Sequence, residues 1–176
     1  MTFTEEWFGV ESQGAVARLA NGTRSVRGVC VEVGCWEGRS TAAIANAVWP
    51  EALYAVDTWQ GSPGEISADI ASQRDVFATF TENMGALTGG NVTPCRMGWR
   101  EWFGQNTEPI RFLHIDAEHS YAEVRDNIAA ALPVMSSWSI ICGDDAHHEP
   151  VMRAVADTLG VTEMFATLWW KRIGAR

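Results

Sequence analysis

The stretch Val29-Cys-Val-Glu-Val-Gly-Cys-Trp-Glu-Gly-Arg-Ser40 decides the fold of this chain. Its first five residues alternate around β-branched valines, as a buried strand requires, and Gly34 then allows a sharp turn. Residues 40–48 are alanine-rich and helical in pattern, and Trp49-Pro50 stops them. A second apolar run over residues 52–56 ends at Asp57. Strand, glycine turn, helix and strand in this order predict a βαβ unit.

The alternation of strand and helix continues along the chain. Further strands are expected over residues 91–97, 110–115, 137–142 and, as a β-rich tail, 165–172. Further helices are expected over residues 4–20, 74–87, 99–104, 121–132 and 149–159. Residues 60–73 read as the longest irregular stretch, and loops of that length are often functional. The pattern predicts an α/β protein with a doubly wound, mostly parallel sheet in three layers, α/β/α.

The length and net charge of the chain limit the number of domains and the kinds of partner it can bind. The 176 residues fit one domain, with an N-terminal helix in residues 1–25, a core in 28–160 and a terminal strand region in 161–176. The formal net charge of -9, without a basic patch, argues against nucleic acid or a membrane surface as partner. We find no signal peptide, no membrane-length apolar run and no Cys-x-x-Cys pair, so a cytoplasmic, reduced protein is expected.

The first glycine turn carries the first chemical signal. Ligands of open parallel sheets bind beyond the carboxyl ends of the strands. Asp57 ends the second strand, where a carboxylate can bind both hydroxyls of a ribose. The Gly34-x-x-x-Gly38 spacing departs from the dinucleotide fingerprint, and Glu32 before it would repel a diphosphate. The turn therefore suits a nucleoside with a cationic or zwitterionic group, although any tight strand-to-helix turn also favours glycine.

Carboxylates at two later strand ends give the second signal. Because the fourth and fifth strands are neighbours in a doubly wound sheet, their ends are expected to meet. The acids and histidines there are Asp116, Glu118, His119, Asp144, Asp145, His147 and His148. Crowded carboxylates repel unless a divalent cation is bound, and an all-oxygen set suits magnesium, manganese or calcium. Two alternatives stay open: solvated or helix-capping acids, and a transition-metal site that uses one of the paired histidines.

These segments resemble the class I S-adenosylmethionine-dependent methyltransferases. The glycine turn is similar to their glycine-rich motif, and Tyr-Ala-Val-Asp57-Thr-Trp to their ribose-binding strand end. Ile-Asp116-Ala-Glu-His-Ser-Tyr121 resembles the Ile-Asp-Gly-Asp-His-Ser-Tyr motif of a small family in that class. The resemblance runs from about residue 28 to about residue 160, which makes this the cofactor-binding core. It implies S-adenosylmethionine as cofactor, bound by Glu32, Gly34, Trp36, Gly38, Ser40, Asp57, Thr58, Gly98, Trp99 and Asp116.

The chain is also similar to the metal-dependent O-methyltransferases of catechol and sugar type. That likeness implies a divalent cation, magnesium before manganese or calcium, on Asp116, Asp144 and Asp145. Catechol-type enzymes carry a lysine base where this chain has His119, and sugar-type enzymes an acidic base where it has Glu118. The only lysine is Lys171 near the chain end. Both Glu118 and His119 are therefore candidates for the catalytic base.

The expected reaction is methylation of a hydroxyl on a small molecule, which is a sugar, a phenol or another natural product. A metal-independent small-molecule methyltransferase and a non-catalytic binding module of the same fold are the alternatives. An NAD(P)-dependent oxidoreductase is disfavoured, since the chain lacks Gly-x-Gly-x-x-Gly and Tyr121 is not followed by lysine four residues later. So short a chain has little room for substrate walls, which predicts a homodimer or larger homo-oligomer.

Overall fold

A seven-stranded sheet forms the centre of the computed structural model, which describes residues 3–174. Its strands are β1 Val29–Val33, β2 Leu53–Asp57, β3 Val92–Arg96, β4 Ile110–Ile115, β5 Met135–Gly143, β6 Glu163–Phe165 and β7 Leu168–Arg172. They lie in the order β3-β2-β1-β4-β5-β7-β6. The first five pair in parallel, whereas β7 runs antiparallel to both β5 and β6. The predicted doubly wound, mostly parallel sheet is confirmed.

Helices cover both faces of the sheet. They are α1 Val10–Asn21, α2 Arg39–Val48, α3 Ile66–Gln73, α4 Val76–Leu87, α5 Trp99–Gln105, α6 Tyr121–Ala131 and α7 Glu149–Leu159. Apolar side chains of α1, α2 and α4 pack on one face, and those of α5, α6 and α7 on the other. The three-layer α/β/α architecture is confirmed. Within residues 3–174, none of the helices has the length and apolar character that crossing a bilayer demands.

Two local predictions are wrong. The first helix begins at Val10 rather than at residue 4, and residues 4–8 instead contact the glycine turn. Residues 60–73 are not wholly irregular, since α3 occupies Ile66–Gln73. None of the α3 residues is buried, and Ile66 is 68% exposed. A helix without a buried face lacks the apolar periodicity that sequence analysis depends on.

Gly34 brings the glycine turn against the end of β4. Its φ of 84° lies in the left-handed region, and a Cβ on it would lie 1.9 Å from the carbonyl oxygen of Asp116. The Gly34 N–H donates to the Val56 carbonyl, and the Asp116 N–H donates to the Val33 carbonyl. Only glycine fits here, and the fit sets the turn directly beside the acidic end of β4.

Candidate active site

Asp57 ties the glycine turn to the end of β2. One carboxylate oxygen accepts the backbone N–H groups of Cys35 at 2.7 Å and Trp36 at 2.9 Å, and the other accepts that of Trp59 at 2.7 Å. Burial raises the pKa of Asp57 although the three hydrogen bonds act to lower it. Carboxylate oxygens accept more hydrogen bonds than these three. Asp57 therefore keeps capacity for a ligand, and its predicted contact with a ribose stays a prediction.

Glu32 is buried in β1 just before the glycine turn, and its predicted contact with a cationic ligand stays a prediction. Its side chain is fully buried, and its Oε1 is 3.0 Å from Nδ1 of His114, which is buried as well. Burial acts to lower the pKa of His114, but the bond to Glu32 and its charge raise it. The ring of Phe8 covers this pair edge-on at 5.6 Å. Glu32 is thus the partner of a buried histidine.

The N-terminal segment covers the glycine turn. The Trp36 indole N–H donates to Glu5 at 3.2 Å, and the Trp36 ring lies 5.4 Å from that of Trp7. Glu37 is only 2% exposed, and its carboxylate accepts hydrogen bonds from Thr4 and from the guanidinium of Arg74. Arg74 also pairs with Glu5 at 3.0 Å. Residues 3–8 are called the N-terminal strap below.

The remaining residues predicted to bind the cofactor differ in how much free space surrounds them. Gly38 is closed, since a Cβ there would lie 2.3 Å from Met84, and Ser40 is buried in the first turn of α2. The Thr58 hydroxyl accepts the N–H of Gln60 at 3.2 Å. Gly98 is open, because a Cβ there meets nothing within 4 Å. The surface beside Gly98 is therefore open, just beyond the carboxyl end of β3.

Trp99 borders that surface but is already engaged. Its indole N–H donates to Glu123 at 3.1 Å. The guanidinium of Arg100 covers its ring, 4.1 Å from the centroid. The polar atom of Trp99 therefore faces α6, and only its apolar surface is left for the predicted contact with a cofactor.

The ends of β4 and β5 bring Asp116, His119 and Asp145 together. One ligand atom of each lies within 4.8 Å of the others. Nε2 of His119 is 2.8 Å from Asp145 Oδ2 and 4.0 Å from Asp116 Oδ1. The contacts with Asp116 and Asp145 raise the pKa of His119 to about 11, against the effect of its burial. Burial acts to raise the pKa of Asp145, but the bond and charge of His119 lower it. These three residues are called the acid–histidine group below.

Asp144 lies behind this group and is not one of its members. It is 7% exposed, and its Oδ1 has no partner among the described residues. Burial and the nearby charge of Asp116 raise its pKa to about 6. Of the predicted metal trio, Asp116 and Asp145 therefore lie together with His119, and Asp144 does not join them. The trio remains a prediction for a site with cation bound.

The two predicted bases point to different neighbours. His119 belongs to the acid–histidine group, whereas the charge of Glu118 acts on Arg100. The paired histidines lie at the rim: His147 is 69% exposed and 3.7 Å from Asp145, and the His148 ring lies 6.0 Å from that of His119. The geometry favours His119 as the residue that meets a reacting hydroxyl.

Sequence reasoning missed Glu65. This residue directly precedes α3, and its Oε1 lies 3.0 Å from Nδ1 of His119. The two are separated by 54 positions, so no local motif joins them. The one available signal was the position of Glu65 within the long segment over residues 60–73.

The acid–histidine group fits a divalent cation. The carboxylates of Asp116 and Asp145 are ligands that such ions accept in proteins. The unpartnered, buried oxygen of Asp144 adds uncompensated negative charge behind them. The same acidic edge favours a ligand that carries positive charge, as a sulfonium does. The residues present therefore fit both a sulfonium nucleoside and a cation.

Comparisons with known proteins place the chain in a family. The sequence profile of a family described as methyltransferase domain matches residues 31–146. No curated protein sequence matches the chain. Among solved structures, the O-methyltransferase NovP is similar at 17% identity and TM-score 0.72, over 94% of this chain and 81% of that one. The calicheamicin methyltransferase CalS11 is similar at 16% identity and TM-score 0.75, over 94% of this chain and 80% of that one.

The fold by itself does not fix the reaction. A precorrin 8w decarboxylase from Methanobacterium thermoautotrophicum is similar at 19% identity and TM-score 0.62, over 85% of this chain and 71% of that one. The family profile is more specific, and it spans well over half of the chain. The protein therefore belongs to the methyltransferase-domain family and is a class I S-adenosylmethionine-dependent methyltransferase.

Proposed function

We propose that this enzyme transfers the methyl group of S-adenosylmethionine to a hydroxyl of a small molecule, with a divalent cation at the acidic edge. The observation that carries the proposal is the acid–histidine group, which lies beside the glycine turn at the ends of β4 and β5. A transferred methyl group and a proton acceptor must approach the same hydroxyl. The close approach of Gly34 to Asp116 supports this arrangement, because it leaves the two halves of the site adjacent.

The chain's own residues divide the work of binding. The backbone of the glycine turn, with Asp57 at the end of β2, faces the nucleoside, and the open surface at Gly98 receives the base. Asp116 and Asp145 would hold the cation, with Asp144 adding negative charge from behind. A bound cation would polarise the hydroxyl and offset the carboxylates that keep the pKa of His119 at about 11. His119 takes the hydroxyl proton at Nε2, the atom that faces both acids.

The structural neighbours indicate which acceptor to test first. CalS11 is described as a TDP-rhamnose 3'-O-methyltransferase, so a sugar hydroxyl is the first acceptor to test, and phenols come second. A metal-independent reaction is the second candidate, because His119 already bonds to Asp145 at 2.8 Å and could act with it as an acid–base pair. A cation-free activity equal to that with magnesium would select this second candidate.

We also propose that the enzyme is a homodimer or larger. The sheet ends in β6, a three-residue edge strand on which Met164 is 62% and Phe165 51% exposed. Unpaired edges with apolar side chains favour association with another chain. Light scattering on a size-exclusion column measures the mass directly, and a monomer at micromolar concentration would contradict the proposal.

Calorimetry tests the central proposal. S-adenosylmethionine or its demethylated product is titrated into the protein with and without magnesium or manganese. We expect binding of the nucleoside, and separate cation binding that Asp145→Asn weakens at least tenfold. Asp69→Asn, on exposed α3, is the matched control and should bind like the wild type. Absence of nucleoside binding under all conditions would refute the proposed function, while nucleoside binding without any cation binding would remove only the cation.

A further inference from the structure

Glu65 connects the segment between β2 and α3 (residues 58–65, called the β2–α3 segment) to the acid–histidine group. Its Oε1 lies 3.0 Å from Nδ1 of His119 and accepts the backbone N–H of the same residue at 3.4 Å. Both side chains are about one-third exposed, at 31% for Glu65 and 33% for His119, so the contact is partly shielded from water. A charge-assisted bond in such surroundings is stronger than one on an open surface.

His119 is held at both ring nitrogens. Glu65 lies at Nδ1, and Asp145 lies 2.8 Å from Nε2 on the opposite edge of the ring. An imidazole bound at both edges has one ring orientation, because a flip would break both contacts. A carboxylate lies at each nitrogen, so both nitrogens are expected to carry a proton, and Glu65 accepts the one on Nδ1.

We propose that Glu65 is a positioning residue of the methyl-transfer site: its carboxylate accepts the His119 Nδ1–H and thereby aims Nε2 at Asp116 and Asp145. The role assigned to Nε2 rests on the proposed function, whereas the contact with Glu65 does not. The inference makes the β2–α3 segment part of the active site, although neither a motif nor a buried face marks it in the sequence.

Orientation is the effect of Glu65 on the proposed reaction. Without the bond at Nδ1 the imidazole is free to rotate, and Nε2 is no longer held toward Asp116 and Asp145. Loss of Glu65 is therefore expected to lower kcat and to leave the affinity for S-adenosylmethionine unchanged.

Proton magnetic resonance of ¹⁵N-histidine-labelled protein tests the contact without any substrate. At low temperature the wild type should show a downfield His119 Nδ1–H signal, assigned by its absence in His119→Gln. Glu65→Gln should abolish this signal or move it upfield. The control is Glu82→Gln, an exposed glutamate of α4, which should leave it in place. An unchanged His119 signal in Glu65→Gln would overturn the proposal.

Two further measurements separate the possible failures. Glu65→Gln should melt close to the wild type and bind S-adenosylmethionine within about twofold. If Glu65→Gln does not fold, Glu65→Asp, which keeps the charge but shortens the reach, should shift the signal instead, and an unshifted signal would overturn the proposal. A wild type that fails to bind S-adenosylmethionine would refute the proposed function, and the resonance of His119 would still decide the role of Glu65.

Discussion

Gly34 and Gly98 differ in whether the protein has room for a side chain at that position. At Gly34, a φ of 84° and the Asp116 carbonyl leave no room for a Cβ. We expect Gly34→Ala to lower the free energy of unfolding by about 2–5 kcal/mol, from backbone strain and overpacking together. Chemical denaturation measures the loss. Gly98→Ala is the control with open space, and it should unfold within about 0.5 kcal/mol of the wild type. Equal stability of the two variants would contradict the close approach at Gly34.

His119 predicts a pH dependence of the cation-free protein. Its pKa is raised to about 11 in the folded state, against an ordinary value of 6.5. A raised pKa of this kind gives stability that is complete below pH 6.5 and is lost as the pH rises toward 11. The melting temperature should therefore fall between about pH 7 and pH 9.5, and the fall should be smaller in His119→Gln. His147→Gln, on an exposed side chain, should follow the wild type. Parallel curves for all three proteins would contradict the shift.

Single residues also show where prediction from sequence ends. Asp57 and Asp116 follow apolar runs, so their place at the carboxyl edge could be predicted from strand spacing alone. Glu32 could not, because its alternation in β1 points it toward His114, and the sequence gives no sign that the residue across from it on β4 is a histidine in need of a partner. The sequence predicts the position of a carboxylate along a strand more readily than it predicts the hydrogen-bond partner of that carboxylate.

At the scale of elements, the βαβ order could be predicted and the coverings of the site could not. The five parallel strands and six of the helices, all but α3, follow from apolar periodicity and from glycine and proline stops, although α1 begins later than predicted. No residue of α3 is buried, and of the N-terminal strap only Phe8 is, so that polar contacts hold much of both in place. Thr4 reaches Glu37 across 33 positions, and Glu65 reaches His119 across 54. Contacts of that range leave no local pattern.

Arg74 holds the N-terminal strap, and its loss should lower the free energy of unfolding. This residue pairs with Glu37, which is 2% exposed, and removing the guanidinium leaves that carboxylate buried without a cation. We expect Arg74→Ala to cost about 2 kcal/mol of unfolding free energy, less than for a wholly buried pair because Arg74 is 28% exposed. Arg153→Ala breaks an exposed pair with Glu149 and should cost less than about 0.5 kcal/mol. Restoration of stability by Glu37→Gln in the Arg74→Ala background would confirm the cause. Similar losses for the two arginine variants would contradict it.

At the scale of the whole molecule, the negative charge is partly concentrated at one edge of the sheet. Asp116, Asp144 and Asp145 lie at the ends of two adjacent parallel strands, where their mutual repulsion is answered mainly by His119 and His114. A protein with a formal net charge of -9 that keeps further acids together at one edge accepts a cost in stability there. A bound cation would offset the repulsion between these carboxylates, and this effect links the charge of the whole chain to the proposed chemistry.

That link predicts stabilisation by divalent cations. A ligand that binds only the folded state at about 100 times its Kd adds roughly 2.7 kcal/mol of stability. We therefore expect magnesium or manganese to raise the melting temperature of the wild type by several degrees, in a concentration-dependent manner. Asp116→Asn and Asp145→Asn should abolish the rise, because each removes charge from the acid–histidine group. Asp69→Asn should retain the rise. Sodium chloride of equal ionic strength should not raise the melting temperature of the wild type, because it supplies screening without a divalent cation. A rise that is the same in sodium chloride, or the same in all three variants, would show that the cation acts on the net charge and not at this edge.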